Sequence, residues 1–161
     1  METDAIPQVG SRAPDFTLVG TGGKTVGLRD FLGKKHLVLY FYPKDATPGC
    51  SMEACGFRDA YPHFEEHGTV ILGVSRDGVD SHDKFSSRHR LPFLLLSDPG
   101  AEVCNAYGVF GTKSFLGREF LGIHRTTFVI DSRGTIRGVF PKVKVREHAQ
   151  EVLRFIQREL D

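Results

Sequence analysis

The chain has 161 residues, enough for one domain with a full core. Its 40% hydrophobic and 25% charged residues and formal net charge of +1 describe an ordinary soluble protein, with no charge excess to recruit a nucleic acid or a membrane surface. No stretch approaches the roughly 18 apolar residues of a membrane span, three cysteines do not make a secreted disulfide framework, and the acidic start Met1-Glu2-Thr3-Asp4-Ala5 is neither a signal nor a transit peptide.

Residues 1–10 read as a loose arm on a single domain spanning 1–161. Residues 16–19 and 25–28 are two short strands around Gly20-Thr21-Gly22-Gly23. Gly23-Lys24-Thr25 imitates the end of a phosphate-binding loop, but the position of its upstream glycine holds Leu18 and no helix follows, so a glycine turn explains it. Leu37-Val38-Leu39-Tyr40-Phe41 is a buried strand. The chain then turns through Pro48-Gly49 into a helical stretch over 51–67, which Pro62 should kink or break. Residues 70–74 form another apolar strand, and a polar helix follows over 81–89 with Ser81 as its cap. Residues 93–96 are a strand, and 102–107 a short helix. Residues 108–122 read as a glycine- and phenylalanine-rich loop, and long loops in compact domains tend to be functional. Residues 127–130 and 136–139 make a hairpin around Asp131-Ser132-Arg133-Gly134. The last helix carries Val145, Ala149, Val152, Leu153, Ile156 and Leu160 on one face. Alternating strands and helices that finish in a hairpin and a helix predict an α/β fold with a mixed central sheet.

The chemistry concentrates after the strand at 37–41. Cys50 falls in the first turn of the helix, where free backbone N–H groups and the helix dipole favour an anion. A thiol there loses its proton more easily, and the thiolate is the reactive form. Thr47 lies three residues before it, close enough to donate its hydroxyl to a sulfur anion. Cys55 lies five residues after it, and on an ideal helix their Cα atoms sit about 8.6 Å apart, beyond the roughly 7 Å reach of a disulfide. The two can bond only after local unfolding, which suits a disulfide made and broken in each cycle better than a structural one.

Pro43, Thr47 and Cys50 match the peroxiredoxin pattern P-x-x-x-T-x-x-C, and Pro48-Gly49-Cys50-Ser51-Met52-Glu53-Ala54-Cys55-Gly56-Phe57-Arg58-Asp59 resembles the bacterioferritin-comigratory, or PrxQ-like, branch. The resemblance runs from about Val9 to Leu160 and takes in Ala13-Pro14-Asp15-Phe16 and Arg125-Thr126-Thr127-Phe128-Val129-Ile130-Asp131; Ser51 departs from a more usual Thr. It implies a thioredoxin-like fold with an N-terminal extension. It implies a thiol peroxidase for hydrogen peroxide and organic hydroperoxides, with Cys50 peroxidatic and Cys55 resolving, Thr47 and Arg125 polarising the peroxide, and Pro43 shielding the site. Arg125 on position alone would be a surface charge at a strand end. The resemblance further implies thioredoxin or a similar dithiol as reductant, no metal or organic cofactor, a monomer, and a cytoplasmic setting.

Other residues leave alternatives open. Glu53 is either a partner of the site or an exposed helix carboxylate, and Cys104 either a buried inert thiol or a spare resolving one. His63-Phe64-Glu65-Glu66-His67 matches the inverted zinc-protease motif, but between Pro62 and Gly68 it has barely a turn and a half of helix. A redox-switched binding module without turnover is a third possibility, against which the complete set Pro43, Thr47, Cys50 and Arg125 speaks.

Overall fold

His36–Phe41 (β3) is the spine of the sheet because both of its faces are apolar and buried. In the computed structural model, which describes residues 6–160, its side chains alternate between two core layers. Val38 and Tyr40, with Tyr42 beyond the strand end, face one layer; Leu37, Leu39 and Phe41 face the other.

Thr69–Ser75 (β4) runs parallel to β3 on one side, and Thr126–Ile130 (β8) runs antiparallel to it on the other. Beyond β4 come Leu94–Ser97 (β5), parallel to it, then Thr17–Gly20 (β1), antiparallel to β5, and Thr25–Gly27 (β2) at the edge. Ile136–Phe140 (β9) closes the opposite edge against β8, giving the order β2-β1-β5-β4-β3-β8-β9. Pro48–Glu66 (α1), Val79–His89 (α2), Glu102–Ala106 (α3) and His148–Glu159 (α4) complete the mixed α/β architecture that the alternation of elements predicts.

The last helix packs as its periodicity requires except at Val145, which precedes the helix and is only half-buried. Ala149, Val152, Leu153 and Ile156 of α4 and Leu160 after it are buried in the layer that also holds Ala54, Phe57 and Phe64 of α1. Each such aliphatic chain removed from water contributes on the order of 1.5–3 kcal/mol. Gly56 lies where the two helices meet, and a Cβ built on it would stand 3.6 Å from the Ala149 Cβ, ordinary contact.

Four local expectations need correction. Pro62 neither breaks nor ends α1, which continues to Glu66. The proline lies near the helix end, so its missing N–H costs one bond while Phe57, Ala60 and Phe64 hold the helix against the core. Ser81 does not cap α2; the helix starts at Val79 after Gly78, and Ser81 turns its hydroxyl elsewhere. Residues 108–122 are largely not a loop: Phe110–Phe115 (β6) and Arg118–Ile123 (β7) pair antiparallel as a separate two-stranded sheet. Their two-residue turn is Leu116-Gly117, both at positive φ, the conformation that matches strand twist but usually selects Asn or Gly at its first position. An exposed leucine there gives no turn signal. Finally, of the expected loose arm, residues 1–5 lie outside the described residues, and Gly10 is fixed by an N–H donated to the Ile136 carbonyl at 2.8 Å.

Candidate active site

Strand β3 delivers the chain to Tyr42, the segment 43–47 crosses over, and α1 begins at Pro48, whose fixed φ suits the first helical position. The Ser51 N–H donates to the Thr47 carbonyl at 2.8 Å and closes the first turn. Cys50 sits inside that turn, 2% exposed.

Arg125 reaches it from the junction of β7 and β8. One guanidinium nitrogen, Nη2, donates to Cys50 Sγ at 3.2 Å, and the other, Nη1, donates to Glu53 Oε1 at 2.5 Å. The planar fork of arginine makes this double contact possible; an ammonium could not span both. The approach is close at Gly49, where a Cβ would lie 3.3 Å from Arg125 Nη2, tighter than ordinary contact.

Glu53 is buried, not exposed. Burial outweighs the charge and hydrogen bond of Arg125, which act to lower it, and leaves its carboxyl raised to about 7. Its second oxygen, Oε2, has no hydrogen-bond partner among the described residues; His148 Nε2 lies 4.0 Å away and is paired with Thr127 Oγ1 at 2.7 Å. The Tyr40 hydroxyl in the same layer is likewise unpaired. Burial, then the negative charges of Glu53 and Cys50, raise the Tyr40 pKa well above its ordinary value.

Thr47 does not touch the sulfur in this structure: its hydroxyl donates to the Lys44 carbonyl at 3.0 Å. Pro43 is half-buried and lines a cleft of about 470 Å³ with Lys44, Arg76, Lys113, Phe120 and Ile123. The Lys113 ammonium is held below its ordinary pKa by burial and then by Arg125, with Cys50 opposing, so the cleft shares the field of the thiol.

The crossing segment is clamped by residues that carry no sequence motif. Asp45 Oδ1 accepts from the Tyr42 hydroxyl at 2.5 Å, and Oδ2 accepts from Ser81 Oγ at 2.8 Å and lies 2.7 Å from His82 Nδ1. His82 Nε2 meets the Leu96 carbonyl at 2.9 Å, so both ring nitrogens face acceptors. The Asp45 N–H donates to Asp77 Oδ2 at 2.8 Å. Burial would raise the Asp45 carboxyl, but the hydrogen bonds from His82, Tyr42 and Ser81 hold it below its ordinary value. An aspartate between Pro43 and Thr47 is the one hint the sequence offers; of its partners, Ser81 and His82 come from a helix that reads as merely polar.

All three cysteines are free thiols. Cys55 is half-buried, with Sγ 3.5 Å from His89 Nδ1 on α2. Cys104 is fully buried in the layer of Leu37, Leu39 and Phe41, whereas Cys50 belongs to the layer of Val38 and Tyr40. The sheet therefore stands between Cys50 and Cys104. Burial, with Asp98 adding to it, pushes the Cys104 thiol far up, and such a buried thiol is unreactive. His63 of the zinc-like motif is a helix-end residue paired with Glu66 at 3.1 Å, and no group of three or more His, Cys, Asp or Glu among the described residues is arranged to hold a metal ion. No described helix is long and apolar enough to cross a membrane.

Known proteins resemble this chain along almost its whole length. Residues 9–139 match the AhpC/TSA family. A putative peroxiredoxin Bcp of Coxiella burnetii is 50% identical, over 91% of this chain and 96% of its own. Among solved structures, a PrxQ mutant of Xylella fastidiosa superposes with a TM-score of 0.91 at 36% identity, covering 98% of this chain and all of its own. The bacterioferritin comigratory protein of Xanthomonas campestris, solved to study its alkyl peroxide reduction activity, superposes with a TM-score of 0.85 at 40% identity, covering 96% and 98%. The fold is thus thioredoxin-like, as the motifs imply. With the family matched over most of its length and its Bcp and PrxQ relatives aligned end to end, this chain belongs to the AhpC/TSA family, as a peroxiredoxin of the Bcp kind.

Proposed function

We propose that Cys50 is the peroxidatic nucleophile of this thiol-dependent peroxidase and that Cys55 resolves it. The observation that carries the reading is the Arg125 fork, with Nη2 at 3.2 Å from Cys50 Sγ and Nη1 fixed on buried Glu53. A permanent positive charge so placed attracts a sulfur anion and is aimed where charge develops as a peroxide bond breaks.

In the first step the Cys50 thiolate attacks the terminal peroxide oxygen. The O–O bond breaks, Cys50 becomes a sulfenic acid, and the departing oxygen takes a proton to leave as water or an alcohol. Arg125 and the backbone N–H groups of the first turn stabilise the spreading charge, and Thr47 turns its hydroxyl from the Lys44 carbonyl toward the reacting atoms. Pro43 covers the approach. Phe120 and Ile123 give the cleft an apolar wall suited to the alkyl part of an organic hydroperoxide.

In the second step the Cys55 thiol attacks Cys50 Sγ, water leaves, and a Cys50–Cys55 disulfide forms, to be reduced by thioredoxin or a similar dithiol. The cycle needs one chain only, since both cysteines lie in α1, which suits a monomer. A reducing, cytoplasmic compartment suits three cysteines that are all free thiols.

The test is steady-state peroxide consumption with thioredoxin and its reductase. The wild type turns over and Cys50→Ser does not, while Cys55→Ser completes one oxidation per chain and stalls. Turnover persisting in Cys50→Ser would refute the assignment; no turnover in the wild type would favour a redox-switched binding module.

A further inference from the structure

We infer that His89 is a catalytic base for the resolution step, accepting the Cys55 thiol proton as that sulfur attacks Cys50. The inference rests on Cys55 being the resolving cysteine, as proposed above.

The geometry is a built thiol–imidazole pair bridging two helices. Cys55 Sγ on α1 lies 3.5 Å from His89 Nδ1 on α2, within hydrogen-bond reach for sulfur. The imidazole is fixed from two sides. Its ring stands edge-on to Phe85 at a centroid distance of 4.9 Å, and its backbone carbonyl accepts from Arg58 Nη1 of α1 at 2.9 Å. Arg58, three residues beyond Cys55, therefore ties the resolving end of α1 to the histidine.

The charged groups facing the imidazole are few. From α1 come Cys55 and Arg58, with Asp59 paired to Arg58 at 2.9 Å; from its own helix comes Arg88. Partial burial first, then Arg88 and Arg58, hold His89 below its ordinary pKa. It is thus neutral near pH 7, and Nδ1 is free to take a proton. In the tautomer with the proton on Nε2, Nδ1 is the acceptor of the Cys55 S–H.

This pair also decides which cysteine travels. The first turns of α1 ahead of Cys55 unwind and bring the Cys50 sulfenic acid to Cys55, which stays docked on α2. Cys55 Sγ attacks Cys50 Sγ and its proton passes to Nδ1. The S–O bond of the sulfenic acid breaks, and the hydroxide leaves as water by taking the proton from the imidazolium. One thiol and one sulfenic acid become one disulfide and one water, and His89 returns to its neutral form. No outside oxidant is consumed beyond the peroxide already spent.

The test is disulfide formation after mixing reduced protein with one equivalent of peroxide. The chain has no tryptophan, so acid-quenched samples are alkylated and read by mass spectrometry, which also dates Cys50 oxidation. His89→Ala and the bulkier, non-titrating His89→Gln should both form Cys50–Cys55 on the order of 10- to 30-fold more slowly at pH 7, the fraction of an ordinary thiol already ionised setting the floor. The deficit should vanish above about pH 9, where a free thiol ionises unaided, and millimolar imidazole should restore the alanine variant. A wild-type rate at pH 7 in either variant would overturn the inference, as would a deficit that persists at high pH and ignores imidazole, the mark of a packing role. Finding Cys50 bonded to Cys104, or to a second chain, would instead remove Cys55 as the resolving residue.

Discussion

At the scale of residues, a single guanidinium joins the Cys50 sulfur to a buried carboxylate, and that carboxylate carries a measurable cost. Glu53 has a folded-state pKa near 7 against an ordinary value of 4.5. Between those two values the native state holds a proton that the unfolded chain has released. Stability from this group therefore falls as pH rises from about 4.5 to 7 and levels off above, by up to about 3 kcal/mol. Denaturant unfolding of the wild type and of Glu53→Gln, compared across that range, should show this decline in the wild type alone; parallel curves would mean Glu53 is ionised throughout. Cys50 and Cys55 stood out in the sequence by a place at a helix start and by their spacing, whereas Arg125 was singled out only by the resemblance to peroxiredoxins, since on position alone it reads as a surface charge. The burial of Glu53 was not legible, since a glutamate early in a helix looks the same whether it faces solvent or an arginine 72 positions away.

At the scale of elements, α1 is both scaffold and moving part. It is continuous from Pro48 to Glu66, so Cys50 cannot reach Cys55 until its first turns open. Anything that stabilises this stretch should delay the disulfide. Gly56, just beyond Cys55, tests where the opening stops, because a methyl group fits there against Ala149. Replacing a mid-helix glycine by alanine is worth about 0.5–1 kcal/mol, so Gly56→Ala should raise stability by that amount and leave Cys50–Cys55 formation at its wild-type rate, since Gly56 stays helical while the turns ahead of Cys55 unwind. A slower disulfide with more over-oxidised Cys50 at high peroxide, read by mass spectrometry, would mean that the unwinding runs past Cys55. The segment ahead of α1 is governed by its clamp. Asp45→Ala strips the acceptor from Tyr42, Ser81 and His82 in a buried cluster, a loss of about 3–5 kcal/mol. Because the Asp45 carboxyl lies below its ordinary value of 3.8, the clamp's contribution is present above that value and is lost as pH falls through the lower folded one. Acid unfolding monitored by circular dichroism should therefore start at higher pH in Asp45→Asn. Elements with strong periodicity, such as β3 and α4, followed from sequence. The β6–β7 hairpin did not, because its pairing depends on a leucine accepting a positive φ that local propensity argues against.

At the scale of the whole molecule, the seven-stranded sheet divides the interior into two apolar layers with different duties. The layer of Val38, Tyr40 and Tyr42 holds Cys50, and the proposed cycle requires it to loosen at each turn. The layer of Leu37, Leu39 and Phe41 encloses Cys104, which the proposed cycle does not use. For anyone wishing to harden this enzyme for use in heat or solvent, that division sorts the available substitutions in advance. On the proposed cycle, reinforcement placed behind the sheet, around Cys104, should raise the melting temperature and leave the catalytic clock alone, while the same reinforcement in the first turns of α1 should trade speed for durability.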